Sequence, residues 1–177
     1  MKSKLLLTVA LFISAASIYA QANEEIKIQL IKDWERAKAY TREYLDAMPK
    51  DKYGFRAQDS IRTFAQQMLH LAQSNMSLSA NGTARERIWP GRILENSTSA
   101  QSPDSVTFYV MAGYDFAIEG IKSMDITKLF EKNKRGNFDE TRYAWLLKAF
   151  EHQTHHRGQT TIYLRLAGVK PPQEKLF

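Results

Sequence analysis

Four histidines are the residues of this 177-residue chain whose chemistry points most directly to a function. His152 and His156 stand four positions apart in a segment with helical periodicity, so their imidazoles leave the same face of a helix, one turn apart. This spacing allows two ring nitrogens to reach one metal ion at about 2 Å. Two surface histidines, or two members of a buried polar network, would have the same spacing, and the pair alone leaves these alternatives open.

The residue that follows the first histidine of this pair argues against one class of enzyme. Zinc proteases with a helical His-Glu-x-x-His motif use the glutamate as their general base. This chain has Gln153 at that position, and an amide does not take up a proton at neutral pH. Metalloprotease chemistry of that type is therefore disfavoured.

A general base is not evident from the sequence. Glu151 points about 100° away from His152 around a helix. Asp115 and Glu119 belong to another predicted helix, on which they either enter the core or face water. Tyr163 continues the histidine face of the last helix and is a candidate for lining a pocket.

The third candidate ligand is His70, on a second predicted helix. Its neighbours at helical spacing form a polar strip of Thr63, Gln66, Gln67 and Ser74. The strip either faces solvent or lines a pocket inside a bundle, where facing helices can share a metal. His155 lies on the other flank of the last helix, and its angular offset makes it a surface group or a neighbour of the ligands rather than a ligand.

Four amphipathic segments predict the helices that would hold these residues. They cover about 24–47, 59 or 60 to 82, 102–124 and 137–167. Ser102 caps the third helix with Pro103 at its first position, and Asn137 caps the fourth with Glu140 as its capping-box partner. Residues 126–136 are expected to be short and partly helical, and no strand of useful length is evident. We therefore predict an all-α, up-and-down four-helix bundle with an additional short helix.

The first 22 residues have the three-part layout of a secretory signal peptide. Lys2 and Lys4 precede an apolar run over residues 5–16, which is short for a membrane span, and small residues follow it. An uncleaved anchor helix is the alternative. We predict a cleaved signal peptide at 1–22, a bundle domain at 23–177, and an exported protein, periplasmic or extracellular, without membrane association after cleavage.

Composition excludes several further classes. The chain is 44% apolar and 25% charged, which is typical of a globular domain and not of a disordered or multispanning protein. It has no cysteine, hence no disulfide, thiolate ligand or cysteine nucleophile. Without Lys2 and Lys4, the 25 basic residues become 23 against 19 acidic ones, a net charge of +4. These charges are scattered, so no nucleic-acid partner is expected.

The two histidine segments together resemble the DinB-like family. The upstream segment is Ser60–Ala72, and the downstream one is Glu151–Gln159, followed by Tyr163-Leu164-Arg165, Gly168 and Pro171-Pro172. The His-His-Arg-Gly-Gln run with its leading histidine is the most specific part. The resemblance extends over most of the mature chain.

This resemblance implies a four-helix bundle, often dimeric, that holds one divalent transition metal (zinc or nickel, sometimes iron) through three histidines. The ligands fall on His70, His152 and His156. Arg157, Gly158 and Gln159 match the last three residues of the family's His-His-Arg-Gly-Gln segment. Gly158 is expected to let the last helix approach a neighbouring helix closely. Some relatives resemble thiol-dependent S-transferases or isomerases. Those relatives are cytoplasmic, so the predicted export weakens that reaction for this chain.

Two functions follow from these expectations. Three imidazoles leave at least one coordination position open, as in catalytic sites, so the first is a metal-dependent hydrolase or transferase acting on an unidentified small molecule. The second is a non-catalytic metal-binding or structural protein of the cell envelope. The candidates for outer-shell or pocket residues are His155, Arg157, Gln159 and Tyr163, and no catalytic residue is assigned. A homodimer is expected from the resemblance.

Overall fold

Four α-helices form the body of the protein. The computed structural model describes the backbone of residues 2–177 and the side chains of residues 18–177. The helices are α1 (Lys2–Ala47), α2 (Phe64–Thr83), α3 (Pro103–Ser123) and α4 (Arg142–Leu166). Short 3-10 helices lie in the connections at Lys50–Lys52, Leu94–Asn96, Thr98–Ala100 and Ile126–Lys128. Of the predicted signal peptide, residues 1–17 lie outside the described side chains. The predicted four-helix bundle is confirmed.

The helices pack as a ring around one core. α2 packs against α3 and α4, and α1 packs against the same two helices, so that α1 and α2 lie diagonally opposite. The largest fully buried side chains come from several helices and connections and include Trp34, Phe64, Met68, Leu94, Tyr114 and Leu129. Because α2 and α4 are neighbours, His70 on α2 faces the helix that carries the other histidines. Within the described residues, no helix has the length and apolar character needed to cross a bilayer.

Side-chain caps fix where the second and third helices begin. Ser102 accepts a hydrogen bond from the Ser105 backbone N–H at 3.3 Å, with Pro103 at the first helical position, as predicted. α2 begins later than predicted, because Thr63 caps it rather than Asp59 or Ser60. The Thr63 hydroxyl accepts from the Gln66 N–H at 3.2 Å, and the Gln66 side chain accepts from the Thr63 N–H at 2.9 Å, which completes a capping box.

A β-hairpin replaces the predicted start of the last helix. Strands β1 (Lys132–Arg135) and β2 (Phe138–Thr141) pair antiparallel. The two-residue turn between them begins with Gly136 at φ +60°, as type II′ hairpin turns require. The predictions of Asn137 as helix cap and of a chain without strands were therefore wrong. Thr141 caps α4 instead, accepting from the Ala144 N–H at 3.1 Å.

Two glycines of α3 allow close helix crossings. A Cβ at Gly113 would lie 2.6 Å from the carbonyl oxygen of Ala72, and one at Gly120 would lie 2.8 Å from the Thr83 side chain. Gly158 does not act in this way. A Cβ there would meet nothing within 4 Å, because Gly158 lies on the exposed face of α4. The expectation of a close approach at Gly158 was wrong.

This contrast between glycines predicts opposite effects of the same substitution. Gly113→Ala should destabilise the protein by about 1–3 kcal/mol, because the backbone of Ala72 must move. Gly158→Ala should stabilise it by up to about 1 kcal/mol, since alanine is the better helix former and meets no obstacle. Chemical denaturation of the metal-free protein measures both. Equal effects of the two substitutions would contradict the described α2–α3 contact.

Candidate metal centre

The three predicted ligands lie together between α2 and α4. One ring nitrogen from each of His70, His152 and His156 lies within 4.8 Å of the others. The Nε2 atoms of His152 and His156 are 3.1 Å apart. Two nitrogens bound to one tetrahedral zinc ion at 2.0–2.1 Å are separated by about 3.4 Å. The donor set and its spacing therefore fit a transition metal, with small side-chain adjustment.

Burial keeps these imidazoles neutral, which is the form that binds metals. Desolvation, followed by the neighbouring His70 and His155, lowers the pKa of His152 to about 4. Desolvation and the adjacent His152 lower the pKa of His156 to about 3. The pKa of His70 is also lowered, by burial and by Arg62. All three rings are therefore uncharged at neutral pH.

A carboxylate contacts the Nδ1 atom of His70. The Oε2 atom of Glu95 is 3.0 Å from His70 Nδ1, and Arg62 donates to both oxygens of Glu95. Neither Glu95 nor Arg62 is predicted as a site residue from the sequence. Glu95 lies in the irregular connection between α2 and α3, where no periodicity indicates the direction of a side chain.

Two glutamines connect the histidines of α4. The Gln67 side-chain nitrogen is 2.7 Å from His156 Nδ1 and also donates to the Gln159 side-chain oxygen. The Gln159 side-chain nitrogen is 3.0 Å from Nε2 of the exposed His155. Gln67 is 3% exposed, so this part of the polar strip of α2 faces the site rather than solvent. His155 and Gln159 lie at the edge of the histidine cluster.

Arg157 is not among the residues that surround the histidines. Its side chain is buried, donates to the Gln153 oxygen at 2.8 Å, and lies 4.6 Å above the centre of the Tyr40 ring. Gln153 also accepts from the hydroxyl of Tyr114 at 2.7 Å. This network points toward α1 and α3, and it gives Gln153 a role in the core.

A cavity of about 670 Å³ lies beside His156. Its wall is partly apolar, with Ile61, Ile162 and Tyr163, and partly polar, with Ser60, Arg62, Gln67 and Gln159. The Tyr163 hydroxyl donates to the backbone oxygen of Arg62 at 2.7 Å, which ties α4 to the segment before α2. Tyr163 therefore lies where the sequence analysis expected it, in the wall of a pocket.

The acidic residues considered as general bases lie away from this cavity. Asp115, Glu119 and Glu151 are exposed, and Asp115 pairs with Lys38 on α1. Glu95 is the one carboxylate that lines the cavity among the residues whose side chains are described.

Fold and site together define a four-helix bundle with a trihistidine cluster at the contact of two helices. The model of the DinB family matches residues 126–176. That segment contains the hairpin, α4 and two of the three clustered histidines. His70 lies outside it and reaches the cluster through the fold. No curated protein matches the sequence.

Solved structures match most of the chain. A DinB-like protein from Bacillus cereus has a TM-score of 0.70 at 18% identity and covers 82% of this chain and 95% of its own. A DinB-like protein from Bacillus subtilis has a TM-score of 0.65 at 16% identity and covers 84% and 96%. A conserved protein from Enterococcus faecalis has a TM-score of 0.64 at 15% identity and covers 80% and 96%. The fold is thus that of DinB-like proteins, and the match of the DinB family model to residues 126–176 agrees with the resemblance seen in the sequence.

The buried histidines predict that the metal-free protein loses stability as the pH falls from 7 to 5. Histidines in the unfolded chain take up protons near pH 6.5, whereas in the folded protein His152 and His156 do so only near pH 4 and 3. The unfolded state therefore binds more protons in this window and is favoured by acid. For His156, which is 8% exposed, the loss should be on the order of 1 kcal/mol.

Denaturation at a series of pH values measures this loss. His156→Asn should reduce the slope of unfolding free energy against pH, because it removes the group whose pKa is lowered to about 3. An identical slope in the parent and the His156→Asn variant would contradict the described burial.

Proposed function

We propose that this protein binds one divalent transition metal through His70, His152 and His156 and uses it to catalyse hydrolysis or group transfer on a small molecule. Zinc or nickel is the favoured metal, and iron is the third option. The observation that carries the proposal is the convergence of three neutral imidazoles from two helices on one point. Such a nitrogen donor set suits zinc, nickel and iron and is poorly suited to magnesium or calcium.

The open side of the cluster supports catalysis over a purely structural site. Structural zinc sites are closed by four protein ligands, whereas catalytic sites keep a position free. Within the described part of the chain, the cluster contains three donors and no fourth histidine or carboxylate. The cavity beside His156 provides room for a substrate next to that position.

Different residues of the cavity would contact the apolar and the polar parts of a substrate. A bound metal would supply Lewis acidity toward a substrate or a water molecule. Ile61, Ile162 and Tyr163 offer an apolar wall that can displace water from the apolar part of a ligand. The amides of Gln67 and Gln159, which also line the cavity, offer hydrogen-bond groups. Because Arg62 pairs with Glu95, the lining side chains carry no net charge, which suits an uncharged ligand.

One observation favours the alternative of a non-catalytic metal-binding or structural protein. Glu95 is bound to both Arg62 and His70 and is poorly placed to accept a proton from a substrate. No other carboxylate lines the cavity among the described side chains. If substrates of the hydrolase and transferase classes are not turned over by metal-loaded protein, this alternative replaces catalysis.

Export is part of the proposal, supported by the exposure of residues 18–22. Among the residues whose side chains are described, the first buried core residue is Leu30, with Ile26 partly buried against the core. Within residues 18–177, cleavage after residue 22 would therefore remove no core side chain. The homodimer implied by the resemblance is proposed on that ground alone, and a monomer in sedimentation at micromolar concentration would contradict it.

The metal content of the mature protein, purified without a polyhistidine tag, tests the central proposal. Plasma mass spectrometry should find about one equivalent of a transition metal. His152→Ala should lose it, because two histidines hold the ion too weakly to survive purification, and His155→Ala should keep it. Parent protein that stays metal-free after incubation with zinc and nickel would contradict the proposal.

Expression of the full chain in a bacterial host tests export. The protein should be recovered outside the cytoplasm, with an intact mass that corresponds to a start near residue 21 or 23. Replacing both Lys2 and Lys4 with glutamate should reduce recovery there, because the positive region of a signal peptide is lost. A full-length cytoplasmic product from the parent gene would show that residues 1–22 are not a signal peptide.

A further inference from the structure

Glu95 is a charged group in direct contact with one of the three clustered histidines. Its Oε2 atom is 3.0 Å from Nδ1 of His70. A neutral imidazole can donate from Nδ1 only in the tautomer that leaves the lone pair on Nε2. The contact with Glu95 therefore selects the tautomer of His70 that leaves the lone pair of Nε2 available to a metal.

Arg62 binds both oxygens of the Glu95 carboxylate. Its Nε donates to Oε2 at 2.8 Å and its Nη2 to Oε1 at 3.2 Å, a bidentate arrangement. Such pairs fix orientation as well as charge. Arg62 is itself anchored to α4, because its backbone oxygen accepts from the Tyr163 hydroxyl.

The connection between α2 and α3 is fixed at Glu95 from both sides. The preceding Leu94 is fully buried, and its N–H donates to the Gln73 side-chain oxygen at 2.9 Å. The Gln101 side chain donates to the Glu95 backbone oxygen at 3.0 Å. A short 3-10 helix, Leu94–Asn96, carries the residue. The position of Glu95 is thus set by the fold and does not depend on its contact with His70.

Neither of the other two histidines has a charged partner at Nδ1. His156 Nδ1 contacts the uncharged amide of Gln67. His152 Nδ1 is buried without a hydrogen-bond partner among the described residues. Only His70 thus has a carboxylate behind it, and a carboxylate partner raises the basicity of a metal-bound imidazole.

We infer that Glu95, held by Arg62, is a positioning residue that orients His70 and strengthens its bond to the metal. This inference rests on the proposed metal site. Glu95 is not a fourth ligand in the described structure, because its oxygens fall outside the group of mutually close donor atoms. The connection between α2 and α3 thereby becomes part of the metal centre, although it contributes no ligand.

Zinc affinity and the absorption spectrum of the cobalt(II)-loaded protein test this inference. Competition with a chromophoric chelator should show that Glu95→Ala weakens zinc binding about 10- to 100-fold, the range for loss of a partner behind a metal-bound histidine. Glu95→Gln keeps an acceptor for His70 Nδ1 and should restore part of the affinity. Arg62→Ala should weaken binding in the same direction. The control is Glu86→Ala, at an exposed position of the same connection, which should bind zinc like the parent.

The cobalt spectrum separates positioning from ligation. If Glu95 acts through His70, Glu95→Ala should shift the d–d bands while the number of ligands stays the same. A Glu95→Ala variant that matches the parent in zinc affinity and spectrum would overturn the inference, and so would a loss of one ligand, since Glu95 would then bind the metal directly. If Glu95→Ala does not fold, the zinc affinity and cobalt spectrum of Glu95→Gln and Arg62→Ala test the inference instead. If the parent protein binds no zinc, the proposed function itself is overturned. If the parent binds zinc and the Glu95 variants bind it equally well, this inference alone is overturned.

Discussion

The contact between α2 and α4 is the constraint on which the site depends. His70 belongs to the first of these helices and His152 and His156 to the second, so the three rings meet only if the helices stay in register. Small residues bring the backbones close: a Cβ at Gly82 would lie 2.7 Å from the Leu146 side chain and 3.0 Å from the Arg142 backbone oxygen. Because packed interiors tolerate little displacement, this contact fixes the two helices, and with them the backbones of the three histidines, relative to each other.

Helix α4 can carry both a core and a metal site because it presents polar groups on two inward sides. On one side, Gln153 and Arg157 bond to each other, to Tyr114 and to the Tyr40 ring. These contacts satisfy polar groups whose burial without partners would cost about 1–3 kcal/mol each. On the other side, the histidines face α2. Much of this interior is polar, and its groups are positioned by hydrogen bonds as well as by apolar contact.

Much of this arrangement could be predicted from the sequence. The parts that could not be predicted have one physical cause in common. Helical spacing placed His152 and His156 on one face, and the Ser102-Pro103 pair marked the start of α3, because both signals are local. Asn137 was misassigned because a Gly-Asn pair also forms a hairpin turn, and pairing between short strands left no alternating pattern to detect. Glu95 was missed because its direction depends on Leu94 burial and on bonds from Gln73 and Gln101, which are contacts between distant residues.

The position of Gly158 shows that a residue within a functional motif need not have the packing role expected of it. It lies in the same run as His156, and a glycine in such a run suggested a close helix contact. In the structure, the close crossings occur at Gly113 and Gly120 on α3, while Gly158 faces solvent. Proximity in sequence to a functional residue therefore does not assign a packing role.

The most direct test of this account is a crystal structure of the zinc-loaded protein, with anomalous data collected on both sides of the zinc absorption edge. The account predicts one strong anomalous peak, at about 2.0–2.1 Å from a ring nitrogen of each of His70, His152 and His156. At least one further coordination position should be occupied by a non-protein ligand. A peak that lacks any one of these three histidines, or density for zinc only at surface residues, would contradict it.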